Sequence, residues 1–221
     1  MNVSFLAKTP LFFGATEEEV RAMLDCLGAV CKKHPKGSVI CRAGEPARSM
    51  GLVLSGGVRI ENDDVWGNKS ILDHAGPGQV FAESYACVPG EPLMVSVIAA
   101  EDCEILFLDV SRLLQTCPNA CAHHARLIRN LLRIAAQKNL ILSRRIFHTS
   151  SKTIRGRLLS YLSEQALRAG KNEFEIPFNR QQLADYLSVD RSALSGELGK
   201  MQRDGLLTVH KNHFCLTGHH I

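Results

Sequence analysis

The 221-residue chain is 45% hydrophobic and 22% charged, the balance of a soluble globular protein with room for one large domain or two modest ones. No apolar run approaches the roughly 18 residues of a membrane span, and Met1-Asn2-Val3-Ser4-Phe5-Leu6 lacks the basic start and long apolar core of a secretion signal, so a cytoplasmic protein without a membrane partner is expected. The net charge of +4 is unevenly placed: residues 1–109 carry 9 Lys+Arg against 15 Asp+Glu, residues 110–163 carry ten basic and no acidic residues, and the remainder balances at 7 against 7, which points to a polyanion partner for the rear half or to a solvated helix face.

Thr16, with Glu19 three residues on, is a capping box that opens a helix. From there to about residue 109, short apolar runs alternate with Gly/Pro/Asn turns. Strands are expected at 38–41, 51–54, 58–60, 70–72, 95–99 and 103–108, the regular spacing of a sandwich or barrel. From 118 to about 147 the period becomes helical. Ala125, Ile128, Leu132, Ala135, Asn139, Leu142 and Ile146 recur at alternating three- and four-residue steps. This is a coiled-coil seam with one polar member to set register, and it predicts a homodimer. A second stripe, Leu127, Leu131, Ile134 and Ile141, lies on a neighbouring face and needs the chain's own body as partner. The small polar residues 147–151 mark a hinge, so domains are expected at 1–148 and 149–221. A further helix runs from Lys152 to Ala169, and 175–178 is extended.

Eight cysteines without a C-x-x-C do not make a disulfide scaffold in a chain of this length, and buried thiols are the expectation. No metal or iron–sulfur cluster is expected.

Between Asn179 and Leu207 the pattern is a helix-turn-helix. Asn179 caps a helix whose apolar face is Leu183 and Leu187. Ser188-Val189 turns the chain, and Asp190 caps a second helix that buries Leu194, Leu198 and Met201. Its opposite face is polar and suits the major groove. Arg191, in the first turn, has the fork to bond a guanine's O6 and N7 together. Ser192 and Ser195 are base or phosphate candidates, and Gln181 and Lys200 phosphate candidates. The DNA-contacting set is Arg180, Gln181, Asp190, Arg191, Ser192, Ser195, Lys200 and Lys211, the last in the turn of a β-hairpin wing that spans 205–216.

These pieces, in order and spacing, resemble the CRP/FNR superfamily of transcription regulators over nearly the whole chain. The resemblance rests on Gly37-Ser38-Val39-Ile40 with Gly44-Glu45, on Leu54-Ser55-Gly56-Gly57-Val58, on Gly76-Pro77-Gly78-Gln79-Val80-Phe81-Ala82-Glu83, on the long helix, and on Arg180-Gln181-Gln182-Leu183-Ala184 through Leu207. It implies an α+β chain: an N-terminal double-stranded β-roll (jelly roll) of the cyclic-nucleotide-binding type, a long dimerisation helix and a C-terminal winged helix-turn-helix. It further implies inverted-repeat operators in double-stranded DNA and contact with RNA polymerase. The sequence departs from the cyclic-AMP-binding members where they place an Arg-Ser pair on the cyclic phosphate, because Leu93-Met94 stands there. An anion buried against these side chains lacks its counter-charge, which costs several kcal/mol. The family's Glu and a later Arg of the reading helix are here Ser192 and Gly196.

The expected effector site lies between roll and long helix, lined by Phe81, Ala82, Glu83, Ser84, Tyr85, Val95, Leu127, Leu131 and Ile134. Its apolar walls, one carboxylate and one phenol suit a small aromatic or fatty effector of unknown identity, or simply a packed core. Two other readings stay open. A haem or thiol redox sensor on the same scaffold would use His123-His124, otherwise a surface pair, or Cys117 and Cys121. A cupin-like metal enzyme would need clustered ligands, but the barrel offers only His34 and His74. No catalytic triad, carboxylate pair or phosphate loop suggests an enzyme.

Overall fold

Glycine turns cut the apolar runs of residues 30–109 into short strands, and alternate side chains then face opposite sides of each strand. The computed structural model describes residues 2–63, 69–114 and 122–217, and the chain forms two compact units, Met1–Gln137 and Lys138–Ile221.

The first unit opens with helices α1 (Val3–Ala7) and α2 (Glu17–Cys26), the latter started by the Thr16/Glu19 capping box. Eight strands follow: β1 (Val30–His34), β2 (Val39–Cys41), β3 (Ser49–Ser55), β4 (Val58–Asp63), β5 (Lys69–Ala75), β6 (Val80–Phe81), β7 (Ser96–Ala99) and β8 (Cys103–Asp109). The short α3 (Glu83–Ala86) precedes β7, and α4 (Val110–Leu114) follows β8. Two antiparallel four-stranded sheets, ordered β1-β8-β3-β6 and β2-β7-β4-β5, make the expected β-roll. Strand β1, Val-Cys-Lys-Lys-His, has no apolar alternation and was not foreseen. It lies at a sheet edge with its side chains in solvent, where alternation is not required.

Alternation on β3 divides the core. Met50 and Leu52 join Leu6, Phe12, Val20 and Leu24 under the N-terminal helices, while Val53 joins Val58, Phe81, Val97 and Ile105 inside the roll. Gly51 lies against the Phe81 ring, so a Cβ built there would sit 2.1 Å from the ring's Cζ.

Helix α5 (Ala122–Thr149) carries both expected stripes. Residues 115–121, which include the expected helix start at 118 and the redox candidates Cys117 and Cys121, lie outside the described residues. In the first unit α5 is anchored by buried Leu127 and Leu131. Asn130 Nδ2 adds to this by donating to the carbonyls of Leu11 and Phe13 at 2.9 and 3.0 Å. Arg126 pairs with Glu19, the residue that also accepts from Thr16 N in the capping box. The thiol expectation needs correcting: of the six described cysteines only Cys103 is buried, while Cys26 and Cys31 are exposed. Cys26 is the last residue of α2, and Cys31 lies on the edge strand β1.

The second compact unit takes in the last turns of α5, where Arg145 and His148 bond to its residues. It continues through α6 (Ile154–Ala169), β9 (Glu173–Glu175), α7 (Arg180–Leu187), α8 (Arg191–Arg203), β10 (Leu207–His210) and β11 (His213–Leu216). Leu158, Leu162, Leu183, Leu187, Leu194, Leu198, Met201 and Phe214 form its core. Strands β10 and β11 make the wing hairpin, and β9 adds to it in the order β10-β11-β9.

Gly51→Ala forces the Phe81 ring out of the roll's interior. Overpacking of this kind costs about 1–3 kcal/mol, and a urea titration of the variant should show a lowered midpoint with an unchanged slope.

Candidate nucleic-acid interface

The geometry of the α7–turn–α8 segment is set by its caps. Asn179 Oδ1 accepts from Gln182 N at 3.0 Å while Gln182 Oε1 accepts from Asn179 N at 2.9 Å, a complete capping box. Ser188 takes the left-handed conformation, φ 54°, that ends α7. Asp190 then starts α8, accepting from the Ser192 and Ala193 amides at 2.8 and 2.9 Å and from the Ser192 hydroxyl at 2.5 Å. The hydroxyl bond, followed by the backbone donors, holds the Asp190 carboxyl below its ordinary range. With Leu194, Leu198 and Met201 buried, α8 turns Arg191, Ser192, Ser195, Gly196 and Lys200 to solvent.

The expected contact residues fall into two groups. Arg191 and Ser195 are exposed, and neither side chain makes a hydrogen bond or ion pair among the described residues. Exposed Lys211 forms the tip of the wing at φ 55°. Gln181 is exposed but donates to Asp185 Oδ1 at 2.8 Å, and Lys200 stands 3.6 Å from Glu197. Asp190 and Ser192 are engaged in the cap. Arg180 is turned inward: its guanidinium lies 5.9 Å from the centre of the Phe214 ring and donates to Lys211 O at 3.3 Å, which ties α7 to the wing. Burial lowers the Arg180 pKa.

Residues the sequence reading missed hold this surface in place. Arg145, on the last turns of α5, donates to Tyr186 O at 3.1 Å and Asp185 O at 2.9 Å. Arg157 donates to Leu187 O and Ser188 O, each at 2.9 Å. Arg155 bridges α6 to α8 through Glu197 at 2.6 Å and Asp204 at 2.7 Å; its bond, the largest influence, keeps the Glu197 carboxyl below its ordinary range. The ten-residue basic stretch is therefore largely paired internally, since Arg112, Arg126 and Arg144 also have partners in Asp109, Glu19 and Glu164. Arg129, Arg133 and Lys152 remain exposed without an ion pair among the described residues. The only sequence signal was the run itself. Carbonyl partners leave no mark in residue identity.

Along α5 the two stripes differ over the first unit, but the second stripe is not buried throughout as expected: Ile134 is half-buried and Ile141, in the second unit, is 58% exposed. Leu127 and Leu131 are 1% and 7% exposed, whereas Leu132 and Ile146 are 67% and 68% exposed. Ala125, Ile128, Asn139 and Leu142 are exposed with them, and Ala135 is half-buried. The expected effector-lining residues pack in two apolar clusters. Phe81 and Ala82 lie inside the roll, while Leu127, Leu131 and Ile134 lie with the N-terminal helices. Glu83 is buried, Ser84 exposed and Val95 half-buried. Tyr85 is half-buried, and its hydroxyl accepts from Met94 N at 3.4 Å. At the two positions where cyclic-AMP binders carry Arg-Ser, Leu93 is buried and Met94 is 75% exposed.

His123 and His124 are not a surface pair. His123 Nδ1 stands 3.3 Å from Glu19 Oε1, and His124 is buried with its Nε2 3.3 Å from Cys26 Sγ, at the end of α2. His34 and His74 lie on strands of different sheets. Among the described residues, no group of three or more His, Cys, Asp or Glu side chains is placed to hold a metal ion.

Comparison with known proteins matches residues 31–119 to the cyclic nucleotide-binding domain and residues 156–217 to the Crp-like helix-turn-helix domain. The chain is 26% identical over 202 residues to electron transport regulator A of Shewanella oneidensis, covering 86% of this chain and 76% of that protein. It is 32% identical over 130 residues to the cyclic AMP receptor protein of Thermus thermophilus, covering 58% and 59%. CprK in complex with OCPA shares its fold at a TM-score of 0.64 and 17% identity, covering 90% of this chain and 89% of CprK. The c-di-GMP responsive regulator CLP of Xanthomonas campestris does so at 0.55 and 20%, covering 92% and 100%.

Gly196 is exposed in mid-helix, and an added Cβ meets no atom within 4 Å. Gly196→Ala should therefore stabilise the protein by about 1 kcal/mol through helix propensity alone, read as a raised denaturation midpoint. A duplex-binding loss in the same variant would locate a close approach of nucleic acid at this position.

Proposed function

The chain belongs to the CRP/FNR family of transcription regulators, and from that premise we propose a homodimer that binds an inverted-repeat operator in double-stranded DNA under the control of a small-molecule effector other than cyclic AMP. The observation that carries the reading is the outward face of α8. Its caps and its Arg155 anchor fix the helix, and it offers Arg191 and Ser195 to solvent with no partner of their own among the described residues. A guanidinium in the first turn of a helix that enters the major groove is placed to read guanine, while Gln181, Lys200 and Lys211 flank it for phosphates.

Dimerisation along α5 is supported by its exposed seam, which pairs naturally with a second copy in register at Asn139. Two-fold symmetry then sets two reading heads about one DNA turn, roughly 34 Å, apart. The reading against cyclic AMP is supported by Leu93 and Met94, which supply no cation for a cyclic phosphate. The half-buried Tyr85 and the apolar walls favour a small aromatic or fatty molecule. The related folds support latitude here, because the CprK structure holds OCPA and CLP responds to c-di-GMP. Contact with RNA polymerase follows from the family resemblance.

Two measurements test this. Duplex affinity should fall steeply with added salt, and Arg191→Ala should cost about 1–3 kcal/mol and relax discrimination at one base pair; equal weakening on all sequences would make Arg191 a phosphate contact instead. Leu132→Asp places a charge on the exposed seam without touching the core, so sedimentation should show a monomer with native circular dichroism. A wild-type chain that stays monomeric at high concentration overturns the dimer.

A further inference from the structure

Among the six described cysteines, one stands against a base. Cys26 ends α2 and is exposed, and its Sγ lies 3.3 Å from Nε2 of His124 on α5. His124 is buried, so its ring is held behind a thiol that solvent can reach. At this distance the pair is either a thiol donating to a bare Nε2 or a thiolate accepting from Nε2–H, and the proton moves along one hydrogen bond between the two. The C-terminal end of a helix is the unfavourable end for a thiolate, and the imidazole is the base that stands against it.

The other described thiols lack this arrangement. Cys31 donates to Glu104 Oε1 at 3.2 Å, and desolvation, with the carboxylate adding to it, pushes its pKa up to about 11. Burial likewise pushes Cys41 up to about 11 and raises Cys87 and Cys103.

We propose that Cys26 and His124 form a reactive thiol–imidazole dyad, a modification site for hydroperoxides and soft electrophiles. It does not depend on the DNA-binding reading. With a hydroperoxide, Nε2 takes the thiol proton and a sulfur electron pair attacks the terminal peroxide oxygen. The S–O bond forms as the O–O bond breaks, and the departing oxide takes the proton from the imidazolium. Sulfur is oxidised by two electrons to the sulfenic acid, and the hydroperoxide is reduced to water or an alcohol. With an alkylating electrophile, the same thiolate displaces the leaving group, which departs with its electron pair.

The test treats the full chain with limiting iodoacetamide and quantifies each cysteine by peptide mass spectrometry. Cys26 in the folded chain should react about tenfold or more faster than Cys31 and Cys41, and faster than Cys26 itself in urea, where the dyad is absent. After stoichiometric hydrogen peroxide, dimedone should label Cys26, and Cys26→Ser should abolish that adduct. A folded His124→Gln variant should bring the Cys26 rate down to its value in urea. A folded-state rate at or below the urea rate overturns the proposal without recourse to any variant. So does a His124→Gln rate equal to wild type, or dimedone labelling that spares Cys26.

Discussion

The last carbonyls of a helix need donors, and at the end of α7 two guanidinium groups supply them. A helix leaves its final C=O groups without intrahelical partners and carries partial negative charge there. Arg145 takes the carbonyls of Asp185 and Tyr186, and Arg157 takes those of Leu187 and Ser188. Hydrogen bonds from charged donors are worth about 1.5–3 kcal/mol each when well placed, and exposure to solvent reduces that here. The geometry matters more than the sum. Arg145 belongs to the long helix and Arg157 to α6, so α7, and α8 across its tight turn, are fixed to both.

The last turns of α5 and the reading head therefore form one body. His148 strengthens the joint. It is 1% exposed, bonded through Nε2 to Glu164 at 2.5 Å and through Nδ1 to the Ser160 hydroxyl at 3.1 Å, and it stands edge-on to Tyr161 with ring centres 5.5 Å apart. A buried polar ring is tolerable when both nitrogens are matched in this way. Glu164 also receives Arg144 and Arg168, so a single carboxylate gathers cations from the long helix and from α6. These contacts tie the final turns of α5 to α6 and α7 within the second unit.

The front of the same helix is held by different chemistry. Leucines, the Asn130 amide and the Arg126–Glu19 pair bind it to the first unit, and the opposite seam of apolar side chains stays in water. A helix that buries one stripe and exposes another has a face left for a second partner, and the exposed stripe is the face we propose for a second copy.

Periodicity and turn chemistry made most of the architecture legible without coordinates. The capping residues Thr16, Asn179 and Asp190, the strand spacing, the two stripes of α5 and the helix-turn-helix could all be read because each depends on residue types a few positions apart. The polar edge strand β1 could not, because it has no buried face to impose alternation. Nor could the roles of Arg145, Arg155, Arg157 and Arg180, read only as a basic surplus or a phosphate contact. Which arginine stays in solvent and which closes a helix end or pairs internally is decided by carbonyls and carboxylates 30 to 49 residues away, and the Cys26–His124 pair spans 98. Local pattern determines elements and their apolar faces, because those follow from helix and strand periods. Only the packed chain decides how its charged and reactive groups are paired, because partners brought together by folding leave no spacing in the sequence.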